Sequence, residues 1–376
     1  MDKKYMNCTR CELCGTADVI HSSSFMEYSI LFRLLTSPLA TMGIGLLSAA
    51  IVKTEGIHVN TKIILFVLCI SAIVCNAGII VDSLYKFFIS NVMPDYMQCD
   101  FQVFNPQYGL VIRHIEIMGS TCFSTSSAAL AIERTIATIF YRSYSQKPTL
   151  GSILVVFQVA ICFIPIWNIR MPKQIYPYSP PELHDYQLYH GISMSMTLIN
   201  ALSIFVFIVL WTVNYYRKRV MERGHLQVVL ARHNLHDNMA TTRCMAPVIF
   251  IVCLIVASAE LIFLMATPKY NADTIVTHQV LDEVIDYSFY GELQLTIIPA
   301  LFIVLILLLI AQSRKIRESF LLVSNLSICF PVKAHTADSR SSSESSSSSS
   351  SDVYSGRIHW SSKMDGLSIT PQDPKY

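Results

Sequence analysis

The chain has 376 residues, of which 52% are hydrophobic and only 14% charged, with a formal net charge of +2 and a mean hydropathy of +0.46. That composition excludes an ordinary soluble domain, and a charge so close to zero offers no electrostatic case for binding nucleic acid. What it fits is a chain that lives largely in lipid.

Residues 1–24 read as an outer tail, too short and polar for a domain of its own. The opening MDKKYMNCTRCELC lacks the apolar core of a cleavable signal peptide, so the first span is expected to act as the signal anchor. Asn7-Cys8-Thr9 is an N-glycosylation acceptor pattern that matters only if the tail is outside. Seven apolar runs follow, from Leu34 to Val52, Ile63 to Val81, Tyr108 to Ile132, Thr149 to Ile169, Gly191 to Tyr216, Cys244 to Thr267 and Leu293 to Ser313. A helix needs about 20 residues to cross hydrocarbon about 30 Å thick, and the runs meet that length. The expected fold is therefore all-α: a seven-transmembrane helix bundle over residues 25–313.

Orientation follows from the Lys/Arg excess on the cytoplasmic side. With the N-terminus outside, the inner segments hold Lys53 and Lys62; Arg134, Arg142 and Lys147; Arg217, Lys218, Arg219, Arg223, Arg232 and Arg243; and Arg314, Lys315 and Arg317, against Lys86, Arg170, Lys173 and Lys269 outside. The asymmetry predicts an outer N-terminus and a cytoplasmic C-terminus. Helical extensions of the fifth and sixth spans would present the basic loop from Arg217 to Arg243, either as a partner-docking surface or as a topological anchor. Residues 314–330 place Ile316, Phe320 and Val323 on one face beside basic residues, which suits a short helix along the inner leaflet. From residue 331 the chain is low in complexity, with seven serines from Ser345 to Ser351. Such a stretch cannot bury enough apolar area to offset its chain entropy, and is expected to be a disordered cytoplasmic tail open to multiple phosphorylation.

Four of the eleven cysteines, Cys8, Cys11, Cys14 and Cys99, fall outside in this topology, where thiols oxidise. The loop between spans four and five has no cysteine, so a bridge from Cys99 has only the N-terminal tail to reach. Cys8-x2-Cys11-x2-Cys14 with His21 could hold zinc, but no second CxxC follows and no metal is expected.

Ionisable groups inside spans are expensive and usually face a bundle interior or cavity. Arg33, Asp82, Arg113, His114, Glu116, Glu260 and Glu292 all fall toward the outer end. Asp82, Arg113, Glu116, Glu260 and Glu292 are the candidate ligand-binding residues, with interhelical ion pairing as the competing reading. Glu133 and Arg134 sit at the opposite end of the third span, where an Arg held by a neighbouring carboxylate has a closed arrangement and a released one. Pro299 frees a backbone carbonyl in the seventh span and offers a hinge. The Ser/Thr-rich stretch from Gly119 to Ser127 suits close helix packing. No HExxH, GxSxG elbow or phosphate-cradling glycine loop is present, so neither catalysis nor a cofactor is expected.

The string Ala131-Ile132-Glu133-Arg134-Thr135-Ile136-Ala137-Thr138 resembles the signature of nematode serpentine chemoreceptors of the Sra superfamily. His58-Val59-Asn60-Thr61-Lys62, and Cys99-Asp100 ahead of Arg113, are most like the class alpha/beta (Srab) branch, over about residues 25–330. The resemblance implies a G-protein-coupled receptor at the ciliary membrane of sensory neurons, detecting an environmental or pheromone small molecule. It implies a heterotrimeric G protein as partner, with arrestin and a receptor kinase engaging the Ser-rich tail. Glu133-Arg134 would correspond to the acidic-Arg switch, and Pro299 with Phe302 to a degenerate span-seven proline motif. The chain departs from rhodopsin-like receptors in lacking a mid-depth Asp in span two, an Asn in span one and a Trp-x-Pro in span six. A second cysteine between Cys99 and Arg113 is also absent, which leaves the partner of Cys99 open. A ligand-gated seven-span channel or transporter is the alternative, but no internal repeat supports a transporter.

Overall fold

The computed structural model describes residues 10–55, 57–99, 101, 103, 107–140, 144, 148–167, 186–223, 229–270 and 276–324, and each element along them is an α-helix. In chain order these are α1 (Arg10–His21), α2 (Ser24–Lys53), α3 (Val59–Val92), α4 (Asp95–Cys99), α5 (Gln107–Ile139), α6 (Thr149–Trp167), α7 (Tyr186–Arg223), α8 (Val229–Ala266), α9 (His278–Gln312) and α10 (Arg314–Val323). Helices satisfy their own backbone hydrogen bonds, which apolar surroundings demand. Ser23, Thr277 and Ser313 cap the starts of α2, α9 and α10, accepting from the backbone N–H groups of Met26, Val280 and Ile316.

Five of the helices, α2, α3, α7, α8 and α9, are long and apolar enough to cross a membrane. The 33-residue α5 is as long but is interrupted by Arg113, Glu116, Glu133 and Arg134, and α6 has 19 residues. The helices pack as a bundle in which α3 lies along both α2 and α5, α9 along α2 and α8, and α7 along α5 and α8. One apolar core runs through it, from Ile44 and Leu47 of α2 through Leu65 and Leu68 of α3 and Phe123 of α5 to Phe302 and Ile306 of α9. Close approach of α3 and α5 depends on Gly119, where a Cβ would meet the Cys75 backbone nitrogen at 2.5 Å. The neighbouring hydroxyls then bond across helices. Ser127 donates to the Asn200 side-chain oxygen at 2.7 Å, and the Asn200 amide donates to Ser124 at 2.6 Å. That is the close packing expected of the Gly119–Ser127 stretch.

Two segments depart from expectation. Residues 10–21, read as a polar tail, form α1, which docks on the bundle. Leu13, Ala17 and Ile20 share one face and are buried in a second core with Val280, Leu281, Val284 and Tyr287 of α9, and Cys14 is bridged to Cys99. Leu13, Ala17 and Ile20 follow helical spacing, but a face this narrow stands out only once its partner is known. The second departure is α9, which begins 15 residues before the apolar run at Leu293; the apolar face of its first turns, Val280, Leu281, Val284 and Tyr287, is the surface on which α1 rests. The amphipathic α10 falls within the expected 314–330 segment, with Ile316 fully buried and Thr54 donating to Ser319 at 3.0 Å. Asn7, Cys8, Cys329 and the Ser-rich stretch lie outside the described residues.

Candidate functional site

At the end of the bundle capped by α1, four charged side chains close into a ring. Arg33 of α2 pairs with Asp82 of α3 at 3.3 Å and with Glu292 of α9 at 2.5 Å. Lys86, one turn beyond Asp82, pairs with the same two carboxylates at 2.9 and 2.6 Å. Two cations and two anions alternate, so the group is neutral although Arg33 and Glu292 are fully buried. Doubly paired charges of this kind compensate one another where water cannot. Asp82 and Glu292 therefore serve as ties between α2, α3 and α9. Glu292 also touches a second cavity of about 560 Å³ beside Phe25 and Phe289. His21, at the end of α1, lies within reach of this ring. Burial, and then the ammonium of Lys86, lower its imidazole from 6.5 to about 4, so it is neutral at ordinary pH.

A separate cavity of about 120 Å³ opens between α5, α7, α8 and α9. Arg113 and Glu116 of α5 line it and pair with each other at 2.7 Å across one helical turn. Hydroxyls of Ser120, Thr121 and Ser124 follow them down the same helix, and Tyr189 and Ser193 face them from α7. Tyr189 is itself positioned by a 2.9 Å hydrogen bond to His114. Ser193 donates to one carboxylate oxygen of Glu260 on α8, which is buried beside the cavity wall. The structure thus brings Arg113 and Glu116 to one cavity, sets Glu260 behind Ser193 of its wall, and places Asp82 and Glu292 elsewhere.

At the other end of α5, Arg134 is 2% exposed and held from three sides. Its guanidinium grips the Glu133 carboxylate through two nitrogens, one at 2.5 Å. It also donates to Thr61 of α3 at 2.8 Å and to the Asn238 side-chain oxygen of α8 at 3.1 Å. Glu133 accepts from Thr61 and, at 2.7 Å, from the phenol of Tyr144, which in turn receives the Asn60 amide at 3.0 Å. Burial and the Glu133 charge push the Tyr144 phenol well above its ordinary value, so it stays a donor. Asn238 extends the web by donating to Thr138 at 3.0 Å, and Arg217 of α7 donates to the Thr138 carbonyl. One arginine thereby connects α3, α5 and α8, with α7 joined through Thr138.

These two sites, on one long helix of an all-helical bundle, invite comparison with known receptors. A family model described as serpentine type 7TM GPCR receptor class ab chemoreceptor matches residues 11–328. The chain belongs to that family. No curated protein matches it. As a class ab chemoreceptor it is a multi-pass membrane protein of a receptor family. The match begins at residue 11, so it takes in α1, the cap helix, as well as the bundle.

Several residues of this chemoreceptor escaped sequence reading. Lys86 was counted as a loop charge, although its spacing of four from Asp82 is the pairing distance along a helix. Thr61 and Asn60 stood in the resemblance string without a role. Asn238 and Tyr144 carried no local signal, because each meets Arg134 or Glu133 only through tertiary contact. Pro299 is buried inside α9, one turn before Phe302, whose ring meets Phe123 edge-on at 4.9 Å. Among the described residues no cluster of His, Cys, Asp or Glu could hold a metal ion.

Proposed function

We propose that the chain is a seven-span receptor, N-terminus outside and C-terminus in the cytoplasm, that detects a small molecule and signals to a heterotrimeric G protein. The observation that carries this reading is the pairing of two sites on α5. The cavity with Arg113 and Glu116 lies at one end and the buried Glu133–Arg134 clasp at the other. Eighteen residues from Glu116 to Arg134 are about 27 Å of helix. A rigid element of that length can report an outer ligand to an inner surface, provided the clasp has two arrangements.

In this reading α2, α3, α5, α6, α7, α8 and α9 are the seven spans, and the loops at the Arg134 end face the G protein. Residues 25–313 are then the bundle, residues 314–330 a juxtamembrane segment on the inner leaflet lipid, and residues 331–376 a phosphorylated tail for arrestin and a receptor kinase. Residues 1–24 are outside, with Asn7 glycosylated, and the receptor resides in the plasma membrane of sensory cilia. Glycosylation mapping at Asn7 tests the orientation; an unmodified Asn7 with a protected N-terminal tag reverses it. For signalling, Arg134→Ala is expected at the cell surface in normal amount, with ligand-driven cyclic-nucleotide or calcium responses reduced at least tenfold. Full signalling by that variant removes the clasp from the mechanism.

A further inference from the structure

Behind the wall of the cavity lies a carboxyl group, that of Glu260, whose hydrogen bonding is incomplete, and that gap says what class of molecule the cavity receives. Arg113 and Glu116 line it, and Glu260 stands behind Ser193 of its wall. Arg113 and Glu116 are 7% and 6% exposed and pair at 2.7 Å, so each offsets the other. Glu260 is 5% exposed and has no cation bonded to it among the described residues. One of its carboxylate oxygens receives the Ser193 hydroxyl, while Oε1, though buried, has no hydrogen-bond partner there. His190, one turn before Ser193 on α7, acts on Glu260 electrostatically, and its ring stacks on Tyr186 at 5.4 Å.

A buried carboxylate with an unmet acceptor is costly, on the order of 1–3 kcal/mol for the missing hydrogen bond alone. Groups in that condition stay neutral or await a partner that brings donors and positive charge. Ser193 links Glu260 directly to the cavity, since the same hydroxyl that donates to the carboxylate belongs to a lining residue. The rest of the lining suits a compact ligand with an apolar body: Ile192, Met196, Ile255 and Val256 face the Ser120, Thr121 and Ser124 hydroxyls. At about 120 Å³ the space falls below the about 300–1,000 Å³ of drug-sized sites, which excludes large amphiphiles and favours molecules of a few heavy atoms.

We infer that this cavity receives a small organic cation, an ammonium-bearing molecule with a short apolar body, and that Glu260 is its counter-ion. The inference rests on the reading of the cavity as the ligand site. An ammonium group offers up to three donors and a unit charge. It would reach the carboxylate where Ser193 now meets it, supply the donor that Oε1 lacks, and leave the apolar part of the ligand against Met196 and Ile255. The Arg113–Glu116 pair then closes the outer wall without competing for the cation, because its carboxylate already has a guanidinium.

The full-length receptor, expressed in cells with a calcium or cyclic-nucleotide reporter, would be challenged with primary alkylamines from propylamine to hexylamine and with phenethylamine. The alcohols of matching length serve as uncharged isosteres. At least one amine is expected to activate the receptor, or to raise the thermal midpoint of the purified protein, where its alcohol does not. Glu260→Gln, which keeps the shape and the Ser193 contact but removes the charge, is expected to weaken that amine at least tenfold at unchanged surface level. Silence of every amine in both assays, equal potency of amines and alcohols, or an unaltered amine response in Glu260→Gln overturns the inference. Ser120→Phe separates this failure from failure of the site itself. It fills the cavity and should abolish the amine response, so an amine response that survives it, yet is lost in Glu260→Gln, places the amine outside the cavity and refutes the inference through its premise.

Discussion

The two ends of the bundle are both tied together by arginine, but in chemically opposite ways. At the α1 end every link between helices in the ring is an ion pair: Arg33 and Lys86 each meet both Asp82 and Glu292. At the other end Arg134 is ion-paired with its chain neighbour Glu133, and its links to other helices run to the neutral Thr61 and Asn238. Opening the first would strand buried charge, whereas opening the second exchanges the guanidinium's hydrogen bonds to neutral groups for others, each worth about 1.5–3 kcal/mol net because the donor is charged. The ring is suited to hold α2, α3 and α9 together in every state, and the clasp to let α8 leave α5.

That contrast can be broken most directly at Arg33. Replacing it with Met leaves two buried carboxylates facing one lysine, and loss of one partner of a buried ion pair costs about 3–5 kcal/mol. The Arg33→Met receptor should reach the surface poorly and unfold many degrees lower in detergent. Adding Glu292→Gln should recover part of the loss, since the pair is coupled. A single variant as stable as the wild type would mean that the ring does not secure the bundle.

A smaller effect is expected at Asn238. Asn238→Leu removes the hydrogen bonds to Arg134 and Thr138, about 2–4 kcal/mol in favour of the released state, and basal signalling should rise at least several-fold. Asn238→Asp supplies a carboxylate opposite Arg134 and should depress basal signalling below the wild type. If both variants move basal activity in the same direction, the contact between α5 and α8 is not what restrains the receptor.

The smallest effect concerns pH at the capped end. His21 is lowered to about 4 from 6.5, so the folded state favours its neutral form. The stability this contributes is complete above about pH 6.5 and is lost as pH falls toward about 4. The difference in thermal midpoint between wild type and His21→Gln should therefore be constant at neutral pH and narrow, then invert, through that window. A difference independent of pH would show that the imbalance between ring and cap does not extend to His21.

Much of this organisation was legible before any contact was known. Apolar runs of bilayer length announced the helices, and Gly119 with the following serines and threonines announced a close helix contact. The absence of a cysteine between spans four and five directed Cys99 toward the tail, where Cys14 meets it. The placement of Glu133-Arg134 at the end of the third run marked the clasp. Less legible was the division of labour among the acids. Glu116 lines the cavity, Glu260 stands behind its wall and Glu292 belongs to the ring, yet all three look alike as single carboxylates in apolar runs.

What the amino-acid order determined by itself was therefore whatever depends on neighbours along the chain: helix length, amphipathic faces, and pairs such as Arg113–Glu116 and Asp82–Lys86 at three- and four-residue spacing. Only the tertiary structure decided which of the distant charges neutralise one another, that residues 10–21 find a core on α9, and that Glu260 remains without a cation among the described residues. The physical reason is range. Helix propensity and periodicity act over a few residues, whereas Arg33 and Glu292 are 259 residues apart, and their charges compensate each other only where packing has brought them within hydrogen-bond distance and excluded water.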